Sequence, residues 1–154
     1  WTSYRIARVR RRLLATPVYL ERHGTPSSID ELSDHSLIAW RNAHEDPTMW
    51  RTLEGDSFVV RPRVITDHLM HAREAAALGL GIAFSLDTVL PFGNPNGPAI
   101  PVIDDGLVPV LDDLVGGWID IHMSIPDAIR EVPRFGFLVS FTRMIVGSEG
   151  GRGA

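Results

Sequence analysis

The sequence lacks cysteine and lysine, and all fifteen of its basic residues are arginine. Without cysteine, disulfides, thiol catalysis and cysteine-ligated zinc are excluded. Without lysine, a lysine nucleophile or Schiff base is excluded as well. No run of about eighteen consecutive apolar residues occurs, so no membrane-spanning helix is expected. Residues 1–12 carry several charges, but the apolar stretch of a signal peptide does not follow them. No signal peptide is therefore expected.

The catalytic and cofactor signatures that could be read from sequence are also missing. Gly79 and Gly81 lie between a predicted helix and the following strand, whereas a dinucleotide fingerprint needs glycines between a strand and the following helix. There is no HExxH segment and no Gly-x-Ser-x-Gly elbow, so Ser85-x-Asp87 is not interpreted as part of a hydrolase triad. We therefore predict no catalytic residue, no cofactor and no enzymatic activity.

Six histidines raise the question of a metal site. His68 and His71 are spaced to share a helix face, but no third ligand accompanies them at a convincing spacing. We predict no metal site. His122 alternates with apolar residues and is interpreted as a core or interface histidine.

The composition fits one domain, or two small lobes sharing a chain, because 154 residues with 44% hydrophobic content can build a sizeable core. The net charge of −4 argues against a general nucleic-acid surface. Five arginines fall in residues 1–12, and we favour a solvated strand face over a basic arm that binds nucleic acid. The pairs Asp104-Asp105 and Asp112-Asp113 are interpreted as solvated loop charges and not as a cation site.

Helices and short strands alternate along the chain, which predicts an α/β sheet. The clearest unit is Thr66–Asp87, in which Asp67 is expected to cap a helix over 68–78. Gly79 is expected to end that helix with a positive φ, and Ile82–Phe84 to form a buried strand. Upstream, a strand over 9–15 is expected to lead into a helix that Thr16 caps and Pro17 begins.

The remaining elements follow the same kinds of signal. Ser28 and Glu31 have the spacing of a capping box. Period-two or short apolar patterns predict strands, proline predicts a loop or a helix start, and the glycine-rich end predicts fraying. The predicted elements are a helix end at Gly24, strands Leu37–Trp40, Val64–Thr66, Leu107–Leu111 and Trp118–Ile125, a hairpin joining Trp50–Leu53 and Phe58–Arg61, a loop Pro91–Pro101, and a last helix from Pro133.

Two segments resemble the effector-binding domain of LysR-type transcriptional regulators. One is the helix and GLGIA segment of Thr66–Asp87, and the other is RLLATPVYLERHGTP at Arg12–Pro26. Their order and spacing also fit that family. The segments SIDELSDHSLIAW, MWRTL and IDIHMSIPDAIREVPRFGFLVSFTRMIV extend the resemblance over about Ile6 to Val146.

The resemblance implies an α/β fold of the type II periplasmic-binding-protein kind, with one near-complete lobe and the C-terminal strand and helix of a partial second lobe. Residues 1–15 would form a crossing strand, 16–115 the near-complete lobe, 116–147 the return strand and C-terminal helix, and 148–154 a flexible tail. Because the chain starts with Trp1, we expect it to be N-terminally truncated, with the opening half of the first lobe and a helix-turn-helix domain missing.

The resemblance also implies a small-molecule effector held between lobes, regulating transcription. The residues predicted to line that site fall at strand ends or helix starts: Thr16, Thr66, Asp67, His68 and Ser85. Helix capping is an alternative role for Thr16 and Asp67. The expected partners are the effector, DNA through the missing domain alone, and a second copy of the chain through the C-terminal segment. We expect the protein to be cytoplasmic and not to associate with a membrane. A solute-binding protein of the same architecture is the alternative, and an α/β enzyme is a more distant one.

Overall fold

The computed structural model describes residues 1–87, 105–129 and 136. The predictions for the loop Pro91–Pro101, the helix from Pro133 and the tail 148–154 lie outside these residues. In chain order the described elements are β1 (Thr2–Ala15), α1 (Pro17–His23), a 3-10 helix (Asp30–Asp34), β2 (Leu37–Trp40), β3 (Met49–Arg51), β4 (Ser57–Val59), β5 (Val64–Thr66), α2 (Leu69–Ala77), β6 (Ile82–Leu86), β7 (Val108–Val110), β8 (Gly117–Ile125) and a second 3-10 helix (Asp127–Ile129).

The described residues belong to two compact units. The larger comprises residues 10–87 and 105–117, and the smaller comprises residues 1–9 and 118–129. The larger unit holds a mixed sheet of order β5-β2-β6-β1-β7. Strand β2 is parallel to β5 and β6, whereas β1 is antiparallel to β6 and β7. This confirms the predicted α/β sheet.

Both faces of this sheet are covered, which explains why its central strands are apolar throughout. One face packs against α1, the first 3-10 helix and the β3–β4 hairpin in a cluster that includes Leu13, Tyr19, Trp50 and Phe84. The other face packs against α2, whose Ala72 and Ala76 are fully buried. Small alanines on α2 let the helix approach the sheet closely.

Helix α1 begins and ends as the sequence predicts. The Thr16 hydroxyl accepts a hydrogen bond from the Tyr19 amide at 3.2 Å, and Pro17 is the first helical residue. Proline is suited to that position because its missing N–H would have no partner there. The helix ends at Gly24, which has a φ of 85°.

Helix α2 ends in a Schellman motif at Gly79, as predicted. Gly79 has a φ of 75°, and its amide donates to the Ala76 carbonyl at 2.8 Å. The Leu80 amide donates to the Ala75 carbonyl at 3.1 Å, so two otherwise unpaired helix carbonyls are satisfied. Residues 82–86 then form β6, whose side chains are all buried.

The predicted capping box at Ser28 is wrong, because Glu31 bonds the preceding serine instead. The amide and hydroxyl of Ser27 both donate to the Glu31 carboxylate, each at 2.8 Å. The segment is a tight 3-10 helix from Asp30, so Glu31 lies in its first turn and reaches back four residues.

In the smaller unit, β8 pairs with β1 and alternates between half-buried and exposed side chains. The predicted strand is confirmed. The pattern predicts His122 in the core or at an interface, and the core position is wrong. His122 is exposed, on the same face as Trp118 and Asp120. The Arg8 guanidinium lies 5.5 Å from the Trp118 ring centroid and 3.7 Å from the Asp120 carboxylate. This polar face holds a cation and its partners, and therefore suits an exposed histidine.

Candidate functional site

Three parallel strands of the larger unit end at one edge of the sheet, here called the carboxyl edge. Trp40 in β2 is the register partner of Thr66 in β5, and Ala39 is the partner of Phe84 in β6. Thr66, Trp40 and Ser85 therefore follow one another across neighbouring strands near their carboxyl ends. In open α/β sheets this is the edge where ligands bind.

Ser85 is the most unusual residue of this edge. Its side chain is on the sheet face that packs against α2, and the residue is 1% exposed. Among the described residues, its hydroxyl has no hydrogen-bond partner. A buried polar atom without a partner costs free energy, and most such atoms in proteins bond another protein group or an ordered water. The Ser85 hydroxyl could therefore hydrogen-bond a ligand at the carboxyl edge.

Thr66, Asp67 and His68 form the turn from β5 into α2. The Thr66 hydroxyl accepts from the His68 amide at 3.1 Å, and the Trp40 indole N–H donates to the Asp67 carbonyl at 3.2 Å. The His68 ring stacks on that of His71, with centroids 4.3 Å apart. The turn is therefore held by threonine and tryptophan, while Asp67 and His68 remain exposed.

The prediction that Asp67 caps α2 is wrong. The helix begins at Leu69, its N-cap is His68, and no side chain caps it. Asp67 precedes the cap position by one residue, and the first free amide of the turn is already bonded to Thr66. The Asp67 carboxylate is consequently available to solvent or to a ligand.

Thr16 is not brought together with the other predicted site residues. It follows β1, which runs antiparallel to β6, so the carboxyl end of β1 lies at the opposite edge of the sheet. There the Thr16 hydroxyl caps α1, as described above. It also borders a groove of about 290 Å³ that is lined by Thr16, Val18, Tyr19, Arg22, His23, Ala77, Leu78 and Gly79.

Ion pairs surround the carboxyl edge and correct the interpretation of several charges. Arg12, the register partner of Ser85, contacts Asp87 at 3.2 Å and Asp112 at 3.0 Å. Arg10 contacts the same Asp112 carboxylate at 3.2 Å. These residues are more than a solvated strand face and free loop charges, because the fold pairs arginines of β1 with one carboxylate after β6 and another after β7.

A second pair lies on the α2 side. The Arg73 guanidinium binds the Asp105 carboxylate with two nitrogens and donates to the Leu86 carbonyl at 2.6 Å. Both side chains are largely buried. This pair ties α2 to the end of β6, so Asp105 is a structural partner where a solvated charge was expected.

On the other sheet face, Arg11 is a buried cation that sequence reasoning missed. It is 8% exposed, its guanidinium lies 4.1 Å from the Phe84 ring centroid, and its Nη1 contacts Glu45 Oε2 at 2.6 Å. Burial lowers the pKa of Arg11, while the charge of Glu45 opposes that effect. The period-two pattern of β1 places Arg11 on the face of Leu13 and Ala15, and that signal could have revealed its burial.

Glu45 has the complementary shift. Burial raises its pKa, but attraction to Arg11 and hydrogen bonds from Arg11 and Asn42 outweigh that effect and hold the pKa below its usual value. Glu45 is therefore charged near neutral pH. Nothing in its sequence neighbourhood indicated this role, because its partner lies 34 residues away.

Within the described residues, no group of three or more metal-ligating side chains occurs. Nor is any helix in that part of the chain long and apolar enough to cross a membrane.

An open α/β sheet with polar groups at its carboxyl edge is an architecture in which domains bind ligands at that edge. Residues 1–97 match the model of the LysR substrate binding domain. The chain belongs to that family.

Similar proteins agree with this assignment. The chain is 29% identical over 94 residues to the HTH-type transcriptional regulator CrgA of Neisseria meningitidis, covering 60% of this chain and 31% of that protein. It is 26% identical over 120 residues to an HTH-type transcriptional regulator of Xanthomonas campestris, covering 74% of this chain and 31% of that protein. The chain thus spans about a third of the length of these relatives.

Solved structures show the same fold. The CrgA regulatory domain, a LysR-type transcriptional regulator from Neisseria meningitidis, superposes with a TM-score of 0.68 at 19% identity, covering 95% of this chain and 69% of that one. The full-length Vibrio cholerae virulence activator AphB superposes with a TM-score of 0.67 at 24% identity, covering 94% of this chain and 48% of that one. The predicted α/β fold of the periplasmic-binding-protein kind is confirmed.

Proposed function

We propose that this chain is the ligand-sensing regulatory part of a LysR-type transcription factor. It binds a small-molecule effector at the carboxyl edge, where Thr66, Asp67, His68 and Ser85 supply polar contacts. The observation that carries the proposal is the buried Ser85 hydroxyl, which has no hydrogen-bond partner among the described residues and lies at the carboxyl edge of a domain of this family. Thr16 is left out of the contact set because it lies at the other edge of the sheet.

In this proposal the parent protein binds DNA through a helix-turn-helix domain outside this chain. Effector binding favours one conformation of the domain over another already present, and so changes what the attached DNA-binding domain does. The chain performs no chemistry, needs no cofactor, acts in the cytoplasm and self-associates through its C-terminal segment. The names of the curated relatives favour a regulator over a solute-binding protein.

The test is a screen for binding that is followed by one substitution. Thermal unfolding of the chain is measured against a panel of small organic acids, amino acids, sugars and nucleosides. A ligand that binds the folded state alone raises the unfolding midpoint in a saturable way. We expect one chemical class of the panel to do so.

Ser85→Ala then separates a ligand contact from a packing role. Removing an unpaired buried hydroxyl is neutral or stabilising for the free protein. Losing a hydrogen bond to the ligand weakens binding, and a loss of about 1.4 kcal/mol is about tenfold in affinity. Ser57→Ala, in the exposed β4 strand, is the matched control and should change neither property. Equal affinity in Ser85→Ala, or no saturable ligand in the panel, would contradict the proposal.

A further inference from the structure

Two hydrogen-bond donors converge on one carboxylate oxygen next to β1. Glu45 Oε2 accepts from Arg11 Nη1 at 2.6 Å and from Asn42 Nδ2 at 3.0 Å. The Asn42 side chain is itself held, because its carbonyl oxygen accepts from the His44 amide at 2.7 Å. This set of donors, here called the carboxylate cradle, consists of Arg11 and Asn42.

The arginine of the cradle is rigidly placed. Its guanidinium lies over the Phe84 ring, and that ring packs against Trp50 with centroids 5.2 Å apart. A planar guanidinium fixed on an aromatic face is preorganised for a carboxylate. The Nε of Arg11 is also buried and has no hydrogen-bond partner within the described part of the chain. The cradle therefore has donor capacity that its present occupant leaves unused.

The occupant of the cradle is placed differently. Glu45 lies in the exposed turn between β2 and β3, and its side chain is 39% exposed, compared with 10% for Arg11. The Glu45 carboxylate is therefore partly exposed to water even while it is bound. When it leaves, however, the buried Arg11 charge loses its partner, and an uncompensated buried charge is strongly unfavourable. Arg11 is a fixed, buried cation, whereas the Glu45 carboxylate is partly exposed and sits on a turn. A second carboxylate can therefore take the place of Glu45 on Arg11.

We infer that the carboxylate cradle is a binding site for the carboxylate of a small-molecule ligand, and that Glu45 is its internal competitor. The incoming carboxylate replaces the Glu45 carboxylate on Arg11 and Asn42. The Glu45 side chain moves into solvent, while Asn42 stays in place through its hydrogen bond from the His44 amide. The cradle lies at the carboxyl edge, on the sheet face opposite the Ser85 side chain. The inference names small carboxylic acids as the ligand class, and it rests on the function proposed above.

The competing interpretation is a permanent structural ion pair that neutralises Arg11. The two interpretations differ in what happens when the competitor is weakened. If Glu45 competes, the apparent dissociation constant equals the intrinsic one divided by the fraction of molecules with an open cradle. Removing the charge of Glu45 then tightens binding, whereas in a permanent pair it only destabilises the protein.

The experiment uses propionate as the probe and propionamide as its neutral isostere. Binding to wild type and to Glu45→Gln is measured by calorimetry at constant ionic strength, with chloride as the balancing anion. Glu45→Gln should bind propionate at least about tenfold more tightly than wild type, if the closed state is populated about nine to one or more. Propionamide should not bind. Glu54→Gln, in the exposed turn between β3 and β4, is the matched control and should behave as wild type.

Two further variants test whether the result depends on the folding of Glu45→Gln and on the guanidinium of Arg11. Glu45→Asp keeps the charge but shortens the side chain, so it should bind propionate more tightly than wild type even if Glu45→Gln fails to fold. A double variant that adds Arg11→Lys to either Glu45 variant removes the planar guanidinium. It should lose the tighter propionate binding of the single Glu45 variants. Unchanged propionate affinity in both Glu45 variants, or equal binding of propionamide, would overturn the inference.

The outcomes also separate this inference from the proposed function. If a ligand from the panel binds through Ser85 but the Glu45 variants gain nothing, the sensor function stands and the cradle is structural. If propionate binds the Glu45 variants and no panel ligand binds wild type, the cradle stands and the sensor function fails.

Discussion

At the scale of single residues, a network of rings beside α1 is expected to make the stability of the fold depend on pH. The Tyr19 hydroxyl accepts from the Ser36 amide at 3.0 Å and lies 3.3 Å from His35 Nδ1. Because the hydroxyl already accepts one hydrogen bond, its own proton is assigned to Nδ1, which can accept it when the imidazole is neutral. Tyr19 also stacks on His23, with centroids 4.5 Å apart. The network therefore favours neutral His35.

The electrostatics point in the same direction. Burial and the nearby charge of His23 lower the pKa of His35, and the acidic Asp34 and Glu31 offset only part of this. A histidine whose pKa is lower in the folded state takes up its proton more readily when unfolded. Stability is therefore complete above the ordinary pKa of about 6.5 and decreases as the pH falls from there towards the folded-state pKa.

We predict that His35→Gln reduces this dependence. The free energy of unfolding, measured by urea titration at a series of pH values below about 6.5, should fall less steeply in the variant than in wild type. His44→Gln, in the exposed turn after β2, is the control and should keep the wild-type slope. An unchanged slope in His35→Gln would rule out this origin of the pH dependence.

Two helix starts provide a second prediction. Thr16 caps α1 through its hydroxyl, whereas Asp67 makes no capping contact with α2. Thr16→Ala should therefore cost about 0.5–2 kcal/mol of unfolding free energy. Asp67→Ala should stay within about 0.5 kcal/mol of wild type, as surface substitutions do. Chemical denaturation of both variants measures the contrast, and a reversed order would mean that Asp67 is the cap.

At the scale of elements, the connection from α2 to β6 depends on a close backbone approach. Gly81 lies against the residue before β2, so a Cβ at this position would be 2.2 Å from the Ser36 carbonyl oxygen. That same oxygen accepts from the Ile82 amide at 2.9 Å. The missing side chain at Gly81 thus allows β6 to begin beside β2.

We predict that Gly81→Ala separates these strands and costs about 1–3 kcal/mol or more, as overpacking does. Gly117→Ala is the matched control, since a Cβ there meets nothing within 4 Å. It should change stability by less than about 1 kcal/mol. Equal unfolding midpoints for the two variants would mean that the backbone adjusts at Gly81 without loss.

The elements that the sequence predicts well are those set by local chemistry. Leu37–Trp40 and Val64–Thr66 are strands with the predicted bounds, and α1 and α2 end at the predicted glycines. Errors arise where a distant or alternative partner decides the outcome. Glu31 accepts hydrogen bonds from Ser27 and not from Ser28. The buried charge of Arg11 is neutralised by Glu45, which no short-range sequence pattern connects to it.

The candidate site shows the same division. The sequence predicts that Thr66 and Ser85 lie at strand ends, because strand bounds are local. It does not predict that Thr16 lies at the opposite edge, because that depends on the antiparallel pairing of β1 with β6. The sequence also does not show that the Ser85 hydroxyl lacks a partner among the described residues, since that depends on every group packed around it.

At the scale of the whole molecule, the chain combines a fold shared with LysR regulatory domains and a net charge of −4. An acidic surface suits a sensing part better than a part that neutralises phosphates. We therefore propose that ligands bind at the carboxyl edge of this chain and that sequence-selective DNA binding belongs to another part of the parent protein.

The most direct test of that central claim is a backbone NMR titration of the labelled chain with the compound that stabilises it most in the panel. We expect saturable amide shifts centred on Trp40, Thr66, His68 and Ser85, and we expect Ser85→Ala to weaken all of them together. Saturable shifts centred instead on the groove beside Thr16 and Gly79, or no saturable shift with any compound of the panel, would contradict it.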